Sequence, residues 1–136
     1  MIKPINKPKK KRNQTIGFWA RKADKKIQEL GRQMHEKKGC LICPNPYSCL
    51  HHFYPKSQST HLRYNWRNLI PVCVGCHLKH HSGDPEIHIK VIEVLGEAWL
   101  ENLTAERNAN RYITGGYSYY RSIYENLEKI TPYKVS

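Results

Sequence analysis

The sequence predicts a small α+β protein, a short strand-bearing centre flanked by helices at both ends. Three observations predict it. Apolar residues recur at helical spacing before residue 36 and again after residue 86, but between Cys40 and about Cys76 that period disappears. Two Cys-x-x-Cys pairs, Cys40-Leu-Ile-Cys43 and Cys73-Val-Gly-Cys76, bracket the aperiodic stretch. The 136 residues, with a mean hydropathy of −0.73, make one modest domain whose lean apolar inventory calls for a staple.

Residues 1–14 are rich in Lys and Pro and predict a disordered basic arm that carries Lys9, Lys10, Lys11 and Arg12. Ile16, Ala20, Ala23, Ile27, Leu30 and Met34 then follow a 4-3-4-3-4 spacing. That spacing predicts an amphipathic helix within 15–38, capped by Thr15 and ended by Gly39. Pro, Asn, Ser and short apolar runs from Cys40 onwards predict a small hairpin with a loop between its strands. Asp84-Pro85-Glu86 is a helix start, a capping residue followed by Pro at the first position. The apolar stripe behind it (Ile87, Val91, Ile92, Leu95, Trp99, Leu100, Leu103) is interrupted at Gly96, which predicts two short helices and closes a central unit over 39–108. In the Tyr-rich tail, 109–136, Gly115-Gly116 predicts a hinge, and Tyr120, Ile123, Tyr124, Leu127 and Ile130 a final helix.

The two cysteine pairs lie about thirty residues apart, and each can form a knuckle that presents two thiolates. Together, Cys40, Cys43, Cys73 and Cys76 make a closed four-sulfur set suited to structural Zn²⁺, with Gly75 permitting a sharp turn. Disulfides are not the expectation, because no apolar run is long enough for a signal-peptide core or a membrane span. The expected location is therefore cytoplasmic, with no membrane partner. Cys49 has no partner at this spacing and reads as a small buried hydrophobe.

There are 23 Lys and Arg against 11 Asp and Glu, a formal charge of +12 that points to a polyanionic partner, with nucleic acid the commonest. Histidines crowd the two segments that the cysteines bring together. On a strand, His51 and His52 point to opposite faces and suit two roles. On a helix, His77 and His81 at i, i+4 share one face and can hold one metal, with His80 a close competitor.

Four features here carry a resemblance: His51-His52, Asn68 nine residues before His77, the His77-x-x-x-His81 spacing, and the flanking Cys-x-x-Cys pairs. In these, residues 40–81 resemble the HNH endonucleases of the ββα-metal fold, in particular their zinc-stapled branch and the colicin-type DNases. A looser resemblance to the phage recombination proteins NinG and Rap extends to about residue 103. The resemblance implies a zinc-stapled ββα-metal core with flanking N- and C-terminal helices. It also implies metal-dependent hydrolysis of DNA that leaves 5′-phosphate and 3′-hydroxyl ends.

Phosphodiester hydrolysis needs an activated water and charge stabilisation on the phosphate. His52 is the expected proton acceptor. A divalent ion on His51, His77 and His81 is the expected Lewis acid. Many members of the family carry an acidic residue at the position of His51. An imidazole there favours a softer ion than Mg²⁺, and Mg²⁺, Mn²⁺, Ni²⁺ and Zn²⁺ all stand as candidates. Asn68 cannot titrate; it either fixes the loop or orients His52. His35, His61 and His88 read as surface or packing residues.

The loop from Tyr54 to Asn68 mixes Lys56, Arg63 and Arg67 with Tyr54, Tyr64 and Trp66. With Lys79 and the basic arm, those cations are the expected DNA contacts, while Tyr64 and Trp66 suit either stacking on bases or the core. Branched DNA of the kind met in recombination is the expected substrate. A non-catalytic zinc module that binds nucleic acid is the rival reading. Monomer and homodimer both stand.

Overall fold

The computed structural model describes residues 15–130, so the expected contacts of Lys9, Lys10, Lys11 and Arg12 lie outside the described residues. Within that span the chain is a mixed α and β protein. It runs α1 (Ile16–His35), β1 (Cys49–His52), β2 (Leu69–Val72), α2 (Val74–His81), α3 (Glu86–Leu95), α4 (Glu97–Ala109) and α5 (Tyr117–Glu128). Two single-turn 3-10 helices, Leu62–Tyr64 and Trp66–Asn68, lie in the loop between the strands. Among the described residues, no helix is long and apolar enough to cross a membrane.

Local chemistry accounts for the helix ends. Thr15 accepts a hydrogen bond from the Phe18 N–H at 3.1 Å and starts α1, as expected. The Asp84 carboxylate accepts from the Glu86 N–H at 2.9 Å and starts α3 just after Pro85. Gly96 has φ +96°, a conformation that side chains resist, and it separates α3 from α4. Gly75 departs from expectation. It lies inside the first turn of α2 without a positive φ, and the turn is held instead by the Cys73 sulfur, which caps the Cys76 N–H.

Two apolar clusters enclose the hairpin. The first joins Ala20, Ala23, Ile27 and Leu30 of α1 to Leu50, Leu69 and Tyr64, with Tyr120 and Leu127 of α5 closing it. The second gathers Phe53, Leu62, Ile70 and Val72 with Ile87, Val91 and Leu103. Fully burying a side chain such as Ile27 or Leu30 stabilises by about 1.5–3 kcal/mol. Ile16, the first position of the expected stripe, is exposed.

The strands are antiparallel, with Leu50 opposite Pro71, His51 opposite Ile70 and His52 opposite Leu69. Directly paired residues share a face. His51 therefore lies with Ile70 on the side of the second cluster, and His52 lies with Leu69 on the side of the first. Both outer edges of the hairpin are occupied. The Gln28 amide donates to the Leu50 carbonyl and accepts from the Leu50 N–H, both at 3.0 Å. On the far side, the Leu41 N–H donates to the Pro71 carbonyl at 2.9 Å.

Gly31 of α1 faces Leu50 so closely that an added Cβ would lie 2.4 Å from Leu50 Cδ1. Gly-to-Ala in a helix interior ordinarily stabilises by about 1 kcal/mol. Here the clash should reverse the sign, and Gly31→Ala should destabilise by about 1–3 kcal/mol in equilibrium denaturation. A gain in stability would show that α1 does not press against β1 at this point.

Candidate metal centre

The cysteines converge from two knuckles. Cys40, Cys43, Cys73 and Cys76 each offer a sulfur within 4.8 Å of the other three, a set that can hold zinc. Cys43 Sγ lies 3.5 Å from Cys73 Sγ and 3.7 Å from Cys76 Sγ. Tetrahedral zinc with bonds of ~2.3 Å spaces its sulfurs ~3.8 Å apart, close to both of these separations. Burial by itself would push the Cys73 thiol up, but the Cys76 N–H and the neighbouring sulfurs bring it down to about 6. Cys49 stands apart from the set, half-buried and with its thiol pushed up by burial.

The histidines gather from β1, α2 and α3. His51 is only 5% exposed, and its Nε2 has no hydrogen-bond partner among the described residues. Its ring lies 3.9 Å from that of His80, but 5.5 Å from His77 and 6.4 Å from His81. His77 and His81 pair with each other, Nε2 to Nε2 at 2.9 Å, on the exposed side of α2. His80 Nε2 instead lies 2.7 Å from Nε2 of His88, whose ring stacks on Phe53. The three nitrogens that come within 4.8 Å of one another belong to His51, His80 and His88, whereas the spacing pointed to His51, His77 and His81. The physical reason is that α3 folds back against α2 and brings in a ring that lies seven residues beyond His81. His88, expected at the surface or in packing, both stacks on Phe53 and brings a nitrogen to this group. Burial drives His51 down to about 3, with the nearby histidines adding to the effect. Burial also lowers His77, His80 and His88, so these imidazoles are neutral and able to ligate at neutral pH.

His52 has a different environment. Its Nε2 lies 3.0 Å from the Arg63 carbonyl. A carbonyl only accepts, so Nε2 carries the proton and Nδ1 keeps its lone pair. Burial lowers its pKa, and the Arg63 carbonyl offsets part of the shift. His51 and His52 both line an open cleft of about 720 Å³ along the edge of β1, with Lys56, His77, His80 and His81 at its rim.

Asn68 takes one of its two expected roles. It is fully buried; its Oδ1 accepts from the Tyr54 N–H at 2.8 Å, and its Nδ2 donates to the carbonyls of Tyr54 and Leu62, both at 3.1 Å. It ties the loop shut and makes no hydrogen bond to His52 among the described residues.

The basic loop is largely spoken for. Arg63 forms a two-pronged pair with Asp24, Nε to Oδ1 at 3.0 Å and Nη2 to Oδ2 at 2.5 Å, so its head turns inward instead of facing solvent. Arg67 pairs with Glu106 at 2.9 Å, and Lys56 approaches Asp24 at 3.6 Å, although both remain partly exposed. Lys79 is exposed on α2. Tyr64 is core, its hydroxyl donating to the Ala20 carbonyl, and Trp66 packs against the same cluster. Asp24, Gln28, Glu106 and His88 carry no motif. Only distance along the chain separates them from the residues they serve, and no local spacing could have singled them out.

No family model matches the chain, and no solved structure matches it. A stretch of 61 residues, 42% of the chain, is 41% identical to a protein from Sarcophyton glaucum named mitochondrial DNA mismatch repair protein mutS homolog. The match spans 6% of that protein's length.

Two outcomes follow. The cysteine set should retain about one zinc per chain after mild chelation, and Cys76→Ser should lose both that zinc and the cooperative unfolding transition, as read by elemental analysis and circular dichroism. Loss of all metal with the fold intact would contradict a structural staple. Asn68→Ala leaves the Tyr54 N–H and the Tyr54 carbonyl without partners, while the Leu62 carbonyl keeps the Asn65 N–H, and should cost roughly 2–3 kcal/mol of stability in denaturant titration. A cost below about 1 kcal/mol would mean that water replaces the amide.

Proposed function

We propose that the chain is a metal-dependent endonuclease of the zinc-stapled HNH type that hydrolyses DNA phosphodiester bonds. The observation that carries the proposal is the division of labour between adjacent histidines. His51 turns a partnerless, buried nitrogen towards the histidines of α2. His52, one residue on, spends Nε2 on a carbonyl and keeps Nδ1 as a lone pair beside the same cleft. In this reading a phosphate seated in that cleft meets both side chains. The order β1, β2, α2, with cysteine knuckles at either end, also supports the reading, as does the likeness of part of the chain to a protein named for DNA mismatch repair.

The residues have separate duties. His52 takes the proton from the attacking water through Nδ1, and the Arg63 carbonyl holds the ring in the tautomer that permits it. Asn68 holds the loop that carries Arg63 and so positions His52 indirectly. His51 and its neighbouring imidazoles hold a divalent ion, which supplies Lewis-acid stabilisation of charge on the phosphate. Lys56 contributes backbone attraction from the cleft lining, Arg67 and Lys79 from the surface beyond it, and none of them reads bases. With those features, branched or partly single-stranded DNA is the substrate class proposed.

Supercoiled plasmid should be nicked when a divalent ion is added and left intact after mild chelation that spares the cysteine-bound zinc. His52→Ala should lower the cleavage rate by about 10²–10⁴-fold while leaving DNA affinity unchanged, because the base acts only as the water attacks. DNA binding without cleavage under every divalent ion tried would make the chain a nucleic-acid-binding zinc module instead.

A further inference from the structure

A second cluster of ligand-type side chains, beside the cysteine set, includes a residue outside the motif. We propose that His51, His80 and His88 form a three-nitrogen metal site, with His88 of α3 supplying the ligand that closes it. The inference rests on reading the histidine cluster as a metal centre, and it names the nitrogens that hold the ion.

Three observations carry it. First, three separate elements, β1, α2 and α3, each deliver one ring nitrogen to within 4.8 Å of the other two. Second, His51 Nε2 is buried with no hydrogen-bond partner among the described residues. Leaving a buried polar atom unpaired is unfavourable, and a cation that accepts the lone pair removes that penalty. Third, His88 is held in place by packing. Its ring stacks on Phe53 with centroids 4.5 Å apart and planes 25° from parallel, and its Nε2 lies 2.7 Å from that of His80. Tetrahedral coordination with metal–nitrogen bonds of ~2.0–2.1 Å spaces nitrogens ~3.3 Å apart, so an ion enters with a shift of only about half an ångström between these rings. His77 and His81 lack these features. They face each other on the exposed side of α2, and their rings are farther from His51 than that of His80.

The ligand chemistry selects the ion. Three neutral imidazoles without a carboxylate suit Zn²⁺, Co²⁺ or Ni²⁺ and suit Mg²⁺ or Ca²⁺ poorly. Three protein ligands also leave a coordination position for water or a phosphate oxygen, as catalytic sites require and closed structural sites do not.

The test uses the full chain with zinc in the cysteine set, which is spectroscopically silent, and reads Co²⁺ titrations by visible absorbance without any cleavage assay. His88→Ala and His80→Ala should each weaken Co²⁺ binding by at least about tenfold, since even outer-shell changes cost about that much. The double variant His77→Ala/His81→Ala should change the affinity by less than threefold. His88→Phe keeps the ring against Phe53 while removing the nitrogen, and it should show the same loss with an unchanged melting temperature. His88→Cys should add a thiolate-to-cobalt charge-transfer band. If His77→Ala/His81→Ala abolishes binding and the His88 variants do not, the ion sits on the other set; this proposal falls while the metal centre stands. If wild-type protein takes up no cobalt beyond the cysteine set, both fall.

Discussion

A hairpin of two four-residue strands cannot stand alone in water, and the rest of this molecule depends on how that constraint is met. Each strand leaves an edge of backbone donors and acceptors open. Gln28 closes one edge by imitating a strand, with one amide group meeting both polar atoms of Leu50. The knuckle residue Leu41 closes the other. Apolar clusters cover both faces, and the four sulfurs gather where the second strand meets its helix. Removing any of these supports would loosen the element on which the others rest.

The hairpin also sets the chemistry. Because neighbouring residues on a strand face opposite sides, a single dipeptide supplies His51 to one cluster and His52 to the other. The two rings therefore meet different partners, one a group of neutral imidazoles and the other a backbone carbonyl. The loop that presents that carbonyl is closed by Asn68, whose amide satisfies three backbone groups where no regular ladder can reach. A residue with neither charge nor titration is thus bound into the geometry of the site.

Charge is distributed less freely than the composition suggests. The excess is +12 for the whole chain, yet the loop cations beside the cleft are engaged by Asp24 and Glu106. Asp24 alone meets both Arg63 and Lys56, and Glu106 gathers Arg67, His61 and Asn65. These pairs tie the loop to α1 and α4. Long-range attraction for a polyanion follows from the net charge, whereas the loop's shape follows from the paired heads.

Local patterns were sufficient for much of this protein. The apolar spacing of α1, the Thr15 cap, the Asp84-Pro85 start of α3 and the break at Gly96 all depend on residues within a turn or two of one another, so they are legible along the chain. The cysteine pairs are legible for the same reason, since each knuckle is a local unit and four thiols have few alternatives. The histidines are otherwise. Their spacing on α2 favoured His77 and His81, because i, i+4 is the one contact a helix guarantees by itself. Which of them meets His51 depends on the rotation of α2 over the hairpin and on where α3 returns. Neither is encoded within any short window. Arg63 likewise reads as a free cation until α1 delivers Asp24 from 39 residues away. The sequence by itself determined the elements, their caps and the four-sulfur set, all of which rest on short-range geometry. Only the tertiary structure decided which histidines lie together and which cations are paired, because those depend on packing between elements that are distant in the chain.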